Sequence, residues 1–258
     1  MSEAIIGVVA GVGPYAGLDM LRKIFDQTIA SGDQDHLTVV GWYQPSAVPD
    51  RTNYLLGQSN ENPGNAIAQQ LLALEKAGAS IAAIPCNTAH APAIFDTACN
   101  ELKQQGSQLN VLHMINEVAA HLDYLNQQGA QIKRIGILST TGTYDTAIYP
   151  NALAPLGYQA IVPPRDWQLS HVQQAIYDPE YGIKSVGYGT PQAREAILET
   201  MSLLRADGAD AIILGCTELP LAFPERTIDE LPLIDPTLVL ARAVIREAAP
   251  NKLKPSSI

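Results

Sequence analysis

Stretches of this chain recur at a distance of about 130 residues, and that recurrence limits the fold more than any other feature. A helical stretch with apolar residues at Ile67, Leu71 and Leu74, stopped at Gly78, returns with Ile197, Met201 and Leu204, entered through Thr190 and Pro191 and stopped at Gly208. Each of these positions is matched 130 residues later, and the apolar runs behind them keep the register: 79–86 reads ASIAAIPC and 209–216 reads ADAIILGC. A second alignment, IGVVAGVGPY from Ile6 against IGILSTTGTY from Ile135, falls at 129 and keeps the Ile-Gly pair, the loop glycine and the Tyr. A period of this length is too long for a solenoid unit and suits a domain.

β-like runs at 4–9, 36–41, 80–84, 133–138 and 209–214 alternate with helical periodicity. The pattern predicts an α/β fold of two pseudo-symmetric lobes, each a mostly parallel sheet flanked by helices, with the active site in the cleft between them. The first lobe is expected over 1–115 and the second over 116–228, with 229–258 packing back on the first.

Of the 258 residues 47% are hydrophobic and 16% charged, and no apolar stretch reaches the length of about 18 needed for a membrane span. A net charge of −10 without a Lys/Arg run argues against nucleic acid and against anionic membranes as partners. A small anionic substrate is still compatible, because one or two local cations can dominate a cleft. Cys86, Cys99 and Cys216 include no CxxC pair, so neither a disulfide framework nor a metal site is expected. The opening MSEAIIGVVAGVGP reads as a first strand and not an export signal, which with free thiols predicts a cytoplasmic protein.

Open parallel sheets bind ligands at the carboxyl ends of their strands. The matched strands lead into Gly11-Val12-Gly13, Cys86-Asn87-Thr88, Thr140-Thr141-Gly142 and Cys216-Thr217-Glu218. An approximate two-fold relation turns these loops toward one another, so Cys86 and Cys216 flank one ligand. Cys99, inside the helical pattern IFDTACNELK, reads instead as a small buried hydrophobe.

Two opposed thiols suit inversion of a stereocentre with an acidic C–H, one removing a proton from one face and the other returning one to the opposite face. The amide and hydroxyl groups of Asn87, Thr88, Thr141, Thr143 and Thr217 are candidates to hold a substrate carboxylate. No Walker A motif or complete GxGxxG occurs; Gly11, Gly13 and Gly17 make only a partial match. Arg51, in AVPDRTNY, and Lys184, in YGIKSVGYG, lie at comparable places in the two halves. Each alone reads as a surface charge; together they could bind two carboxylates.

These motifs resemble the cofactor-independent aspartate/glutamate racemase superfamily over nearly the whole chain: PCNTAH around Cys86, GCTELPL around Cys216, the GVGP loop at 11–14, PDRT at 49–52 and the Ile-Lys step at Lys184. PDRT and the lysine point more narrowly to aspartate racemases. The resemblance implies two α/β lobes, a homodimer, no pyridoxal phosphate and no metal. It implies Cys86 and Cys216 as the catalytic pair, acting on aspartate. Arg51 and Lys184 then serve as carboxylate ligands, with Asn87, Thr88 and the 140–143 loop on the α-carboxylate. Gly11 and Val12 stand where glutamate racemases carry Asp-Ser, and Glu218 where they carry His, so the first loop and Glu218 count among the candidate substrate contacts. Hydantoin racemases and maleate isomerases also keep two cysteines, so the pair alone leaves the substrate open. A non-catalytic dicarboxylate-binding protein gives no reason for paired thiols, and a cysteine hydrolase needs a His base that nothing places against Cys86.

Overall fold

The computed structural model describes residues 4–255; the first three and last three residues of the expected lobe ranges lie outside them. In the first half, β1 (Ile5–Val8), β2 (Val39–Gly41), β3 (Ala79–Ala83) and β4 (Asn110–Val111) form a parallel sheet in the order β2-β1-β3-β4. The helices of this half are α1 (Pro14–Gln27), the short α2 (Arg51–Leu55), α3 (Pro63–Lys76), α4 (Pro92–Gln104) and α5 (Met114–Gln127).

The second half repeats the plan. Strands β5 (Arg134–Ser139), β6 (Gln159–Ile161), β7 (Ala211–Gly215) and β9 (Leu231–Ile234) run parallel in the order β6-β5-β7-β9, and β8 (Thr227–Ile228) adds an antiparallel edge beside β9. Around them lie α6 (Thr141–Asp145), α7 (Ile148–Leu153), α8 (Arg165–Trp167), α9 (Gln174–Tyr177), α10 (Ile183–Val186), α11 (Pro191–Ala206), α12 (Leu219–Ala222) and α13 (Pro236–Ala248). A wider helical turn over Gln168–Gln173 joins α8 to α9.

Local chemistry explains why the matched segments fold alike. Each of α3 and α11 begins with proline at its first position behind a side-chain cap, Asn62 accepting from the Gly64 amide and Thr190 from the Ala193 amide. Such a cap contributes about 1 kcal/mol, and the proline gives up only an amide that has no helical partner. The two helices end before Gly78 and Gly208, whose φ angles of +100° and +87° reverse the chain. Each helix then lies on its strand across a glycine. A Cβ on Gly7 would sit 3.2 Å from the Leu74 Cβ, and one on Gly136 would sit 3.2 Å from the Leu204 Cβ.

Period-two alternation divides the apolar residues into three layers. Ile6, Val8, Ile81, Ile135, Ile137, Ala211 and Ile213 face one central core shared by both sheets. Val9, Ala82 and Ile84 face the outer layer under α3 and α4. Leu138, Ile212 and Leu214 face the corresponding layer under α9 and α11. The helix that closes each half crosses to the other: α13 packs on α1 and α5 packs on α7, and α5 and α13 touch each other. The stretch expected to return to the first lobe from residue 229 therefore divides, since Leu231–Ile234 pairs with β7 in the second sheet, whereas α13 packs on α1 and Leu253 after it pairs with Thr28. Among the described residues no helix is long and apolar enough to cross a membrane.

Candidate active site

Cys86 stands three residues past β3, its amide bonded to the Ile84 carbonyl, and Cys216 follows β7 directly. Both thiols are buried, and both line one small cavity. The first half contributes Arg51, Thr52, Cys86, Asn87 and Thr88 to its wall; the second contributes Thr140, Tyr177, Lys184, Cys216, Thr217 and Glu218. Larger grooves lie between α5 and α13 and beside α11, and neither contains a cysteine. Among the described residues no group of three or more His, Cys, Asp or Glu side chains is placed to hold a metal ion.

Four contacts close the halves over the cavity. Thr88 Oγ1 lies 3.0 Å from Thr140 Oγ1 and 2.9 Å from Thr143 Oγ1. Tyr149 Oη donates to Asn87 Oδ1, and Thr52 Oγ1 lies 3.3 Å from Tyr177 Oη. All of these atoms carry hydroxyl or amide groups, so the closed arrangement satisfies polar groups that burial would otherwise penalise.

Opposite charges face the two thiols. Arg51 and Cys86 both line this cavity; burial works against the guanidinium charge, but Cys86 and Asp50 outweigh it and hold its pKa above the ordinary value. Cys216 instead donates from Sγ to Glu218 Oε2 at 3.1 Å. Burial first, and then the Glu218 charge, push the Cys216 thiol well above the usual range. Glu218 is itself ion-paired with Lys184. Burial opposes its charge, yet Lys184 and the thiol hydrogen bond keep its carboxyl below the ordinary value. The Lys184 ammonium also stands 5.6 Å over the Tyr177 ring.

Two buried donors in this wall have no hydrogen-bond partner, Arg51 Nε and Asn87 Nδ2. Buried N–H groups are nearly always paired, so these two are candidate donors for a ligand in the cavity.

The model of the Asp/Glu/Hydantoin racemase family matches residues 9–244, most of the chain and both thiol loops. The chain belongs to that family. It is 28% identical to the broad specificity amino-acid racemase RacX of Bacillus subtilis, over 93% of this chain and 96% of the relative. Among solved structures it is similar to the Picrophilus torridus aspartate racemase, with a TM-score of 0.76, 30% identity, and 97% of this chain and 96% of that one covered. A Francisella tularensis glutamate racemase in complex with D-glutamate shares the fold at a TM-score of 0.65 and 19% identity, covering all of this chain and 86% of its own. Family membership places the chain among the isomerases.

Against this racemase fold, the candidate residues sort by position. Cys86, Cys216, Arg51, Lys184, Asn87, Thr88, Thr217 and Glu218 come together at the cavity, drawn from four separate segments. Gly11 and Val12 do not. A Cβ on Gly11 would meet the Gln44 amide nitrogen at 2.7 Å, and Val12 is buried in the outer core of the first half, so these two residues pack against their own lobe, whereas Gly13 beside them abuts Glu218. Thr141 is turned away as well, donating from its amide and its hydroxyl to Gln173 Oε1 at 2.9 Å each, and Thr143 acts through Thr88 and not on the cavity. Lys184 is ion-paired with Glu218. Thr52, Tyr177 and Tyr149 were not singled out in the sequence. Thr52 is the last residue of PDRT, whereas the two tyrosines have no counterpart in the repeat to mark them.

Proposed function

We propose that the protein interconverts L- and D-aspartate without a cofactor, with Cys86 and Cys216 as the two acid/base groups. The observation that carries this reading is the meeting of two thiols from equivalent strand ends in one small, closed cavity with two cationic side chains. The similarity to an aspartate racemase at 30% identity over nearly the whole chain supports the choice of substrate. The same reading includes a homodimer in the cytoplasm.

In one direction Cys86, as the thiolate beside Arg51, takes the proton from Cα: the C–H bond breaks, an S–H bond forms, and the electron pair moves into the α-carboxylate. Unspent donors at Arg51 Nε and Asn87 Nδ2 stabilise the charge that develops there. Cys216, as the thiol, returns a proton to the opposite face, its S–H bond breaking as the new C–H bond forms. The reverse direction exchanges the two roles. Each proton transfer of this kind contributes about 10² to 10⁴ in rate.

The test is circular dichroism of L-aspartate, L-glutamate, a neutral amino acid and a hydantoin incubated with purified protein, and with Cys86→Ala and Cys216→Ala. Signal loss on aspartate that vanishes in both variants, with solvent deuterium entering Cα, is the expected result. Equal rates on neutral amino acids would favour the broad range in the name of the Bacillus subtilis relative, and full activity in either variant would end the two-thiol reading.

A further inference from the structure

Glu218 is buried to 2% exposure and its carboxylate is divided between two partners. Oε1 pairs with Lys184 Nζ, while Oε2 accepts from Cys216 Sγ and, at 3.3 Å, from Thr217 Oγ1. The loop after β1 makes room for it: a Cβ on Gly13 would stand 2.7 Å from Oε1. Lys184 has no other carboxylate partner among the described residues. The cavity thus holds two cations, of which Arg51 has an unpartnered donor and Lys184 does not.

A substrate with one carboxylate has all it needs at Arg51 and Asn87. A substrate with two needs the second cation, and that cation is already neutralised by an acid of this chain. We propose that Glu218 is an internal stand-in for the substrate's second carboxylate, occupying Lys184 until a dicarboxylate displaces it. This rests on the functional reading above and adds a specificity device to it. Glu218 is a positioning residue that competes with the ligand for Lys184, while its other oxygen fixes the Cys216 thiol.

The exchange explains the small size of the cavity in this closed form, because the space near Lys184 is filled by the Glu218 side chain. It also sets a selective condition. Displacing Glu218 leaves the buried Lys184 ammonium without its anion, so only a ligand that supplies an equivalent carboxylate compensates the loss, while Glu218 keeps the hydrogen bonds from Cys216 and Thr217. A ligand gains apparent affinity when a competing internal contact is removed beforehand.

The experiment measures succinate binding by calorimetry, with propionate as the monocarboxylate control, to the wild-type chain and to Glu218→Gln. Neither probe carries a reacting Cα amine, so the result does not depend on turnover. Glu218→Gln is expected to bind succinate about tenfold more tightly and propionate as before. The thiolate absorbance of Cys216, followed in a Cys86→Ser, Cys99→Ser background that leaves it the single cysteine, is expected to titrate at lower pH once the Glu218 charge is gone. A merely structural role would weaken both ligands and leave that titration in place.

Unchanged or weaker succinate binding in a folded Glu218→Gln protein overturns the proposal. Should that variant fail to fold, Glu218→Asp carries the same test, since the shorter side chain cannot span Lys184 and Cys216 together and succinate should again bind more tightly. Tighter succinate binding by Glu218→Gln together with no racemisation of aspartate by the wild-type chain would leave the stand-in intact and sink only the catalytic reading.

Discussion

Tyr149 Oη donates to Asn87 Oδ1 across 2.5 Å, joining α7 of the second half to the thiol loop of the first. Tyr149 is wholly buried, and burial, with the charges of Asp235 and Cys216, raises its pKa far enough to keep it a neutral donor. The bond fixes which way the Asn87 amide faces, and so where its unpartnered Nδ2 stands in the cavity. Tyr149→Phe leaves a buried amide oxygen unpaired, at a cost of about 1 to 3 kcal/mol. The expected outcome is a loss of that size in urea unfolding and a fall in kcat/KM of about tenfold. Wild-type activity in the variant would show that Asn87 is held by other contacts.

A second prediction concerns acid. His90 is buried behind Cys86, stacked on Phe95 with centroids 5.0 Å apart and edge-on to His113 at 4.8 Å, with Nδ1 2.9 Å from the Cys86 carbonyl. Burial, and then the neighbouring His113, lower its pKa to about 3. Between that value and about 6.5 the unfolded chain binds a proton that the folded chain does not, so stability rises with pH across this window. The contribution is present above the unfolded pKa and is lost as pH falls toward the folded one, reaching about 4 to 5 kcal/mol at the acid end. Glu218 acts with the same sign but only below its ordinary value of 4.5. His113 and His121, both depressed by burial, share the His90 window. Unfolding free energies measured from pH 7 down to 4.5 should therefore fall, and His90→Asn should flatten the slope. An equal slope in that variant would assign the acid loss to the other two histidines.

Much of this architecture could be read from the sequence because the repeat places equivalent residues under equivalent constraints. Leu74 and Leu204 lie over Gly7 and Gly136, and a thiol follows each central strand, so the offset that aligned the helices also aligned the site. What the repeat could not reach lies where the halves differ. Strands β4 and β9 are short and carry no alternation long enough to stand out. Tyr177 belongs to the irregular helical run of the second half, and Tyr149 to a helix whose first-half counterpart carries no hydroxyl at that place. In the first loop a glycine-rich turn at a strand end suits close backbone approach, which Gln44 of the same lobe makes at Gly11 and the Glu218 side chain makes at Gly13. Lys184 came to the right cavity with an unforeseen partner, since pairing with a buried acid depends on contacts that no local spacing encodes.

The shared central core makes a prediction about cooperativity. Gly7 and Gly136 each admit a helix close to a strand; added side chains would meet the Ala79 Cβ at 3.0 Å in one half and the Leu204 Cβ at 3.2 Å in the other. Gly7→Val and Gly136→Val should each cost about 1 to 3 kcal/mol through overpacking. Because α5 and α13 cross between halves over one core, calorimetry should show a single transition that shifts in both variants. Two transitions, only one of them displaced by each substitution, would mean that the halves unfold independently.

Arg51 offers the sharpest separation of charge from geometry. Asp50 caps the short helix that begins with it, accepting from the Asn53 amide at 2.8 Å, which fixes the backbone from which the guanidinium reaches the cavity. One nitrogen, Nη1, bonds the Pro49 carbonyl at 3.3 Å, the charge faces Cys86, and Nε is unspent. Three directions from one rigid fork are within the reach of arginine and not of lysine, whose ammonium is a single compact charge. Arg51→Lys therefore keeps the cation beside Cys86 and loses the planar donor set for a substrate carboxylate. Losing a charged hydrogen bond costs about 1.5 to 3 kcal/mol, so kcat/KM for aspartate should fall about ten- to a hundredfold, with a rise in KM accounting for a larger share than a fall in kcat. A fall confined to kcat would place Arg51 on the thiolate alone, and the α-carboxylate would then belong to Asn87 and its neighbours.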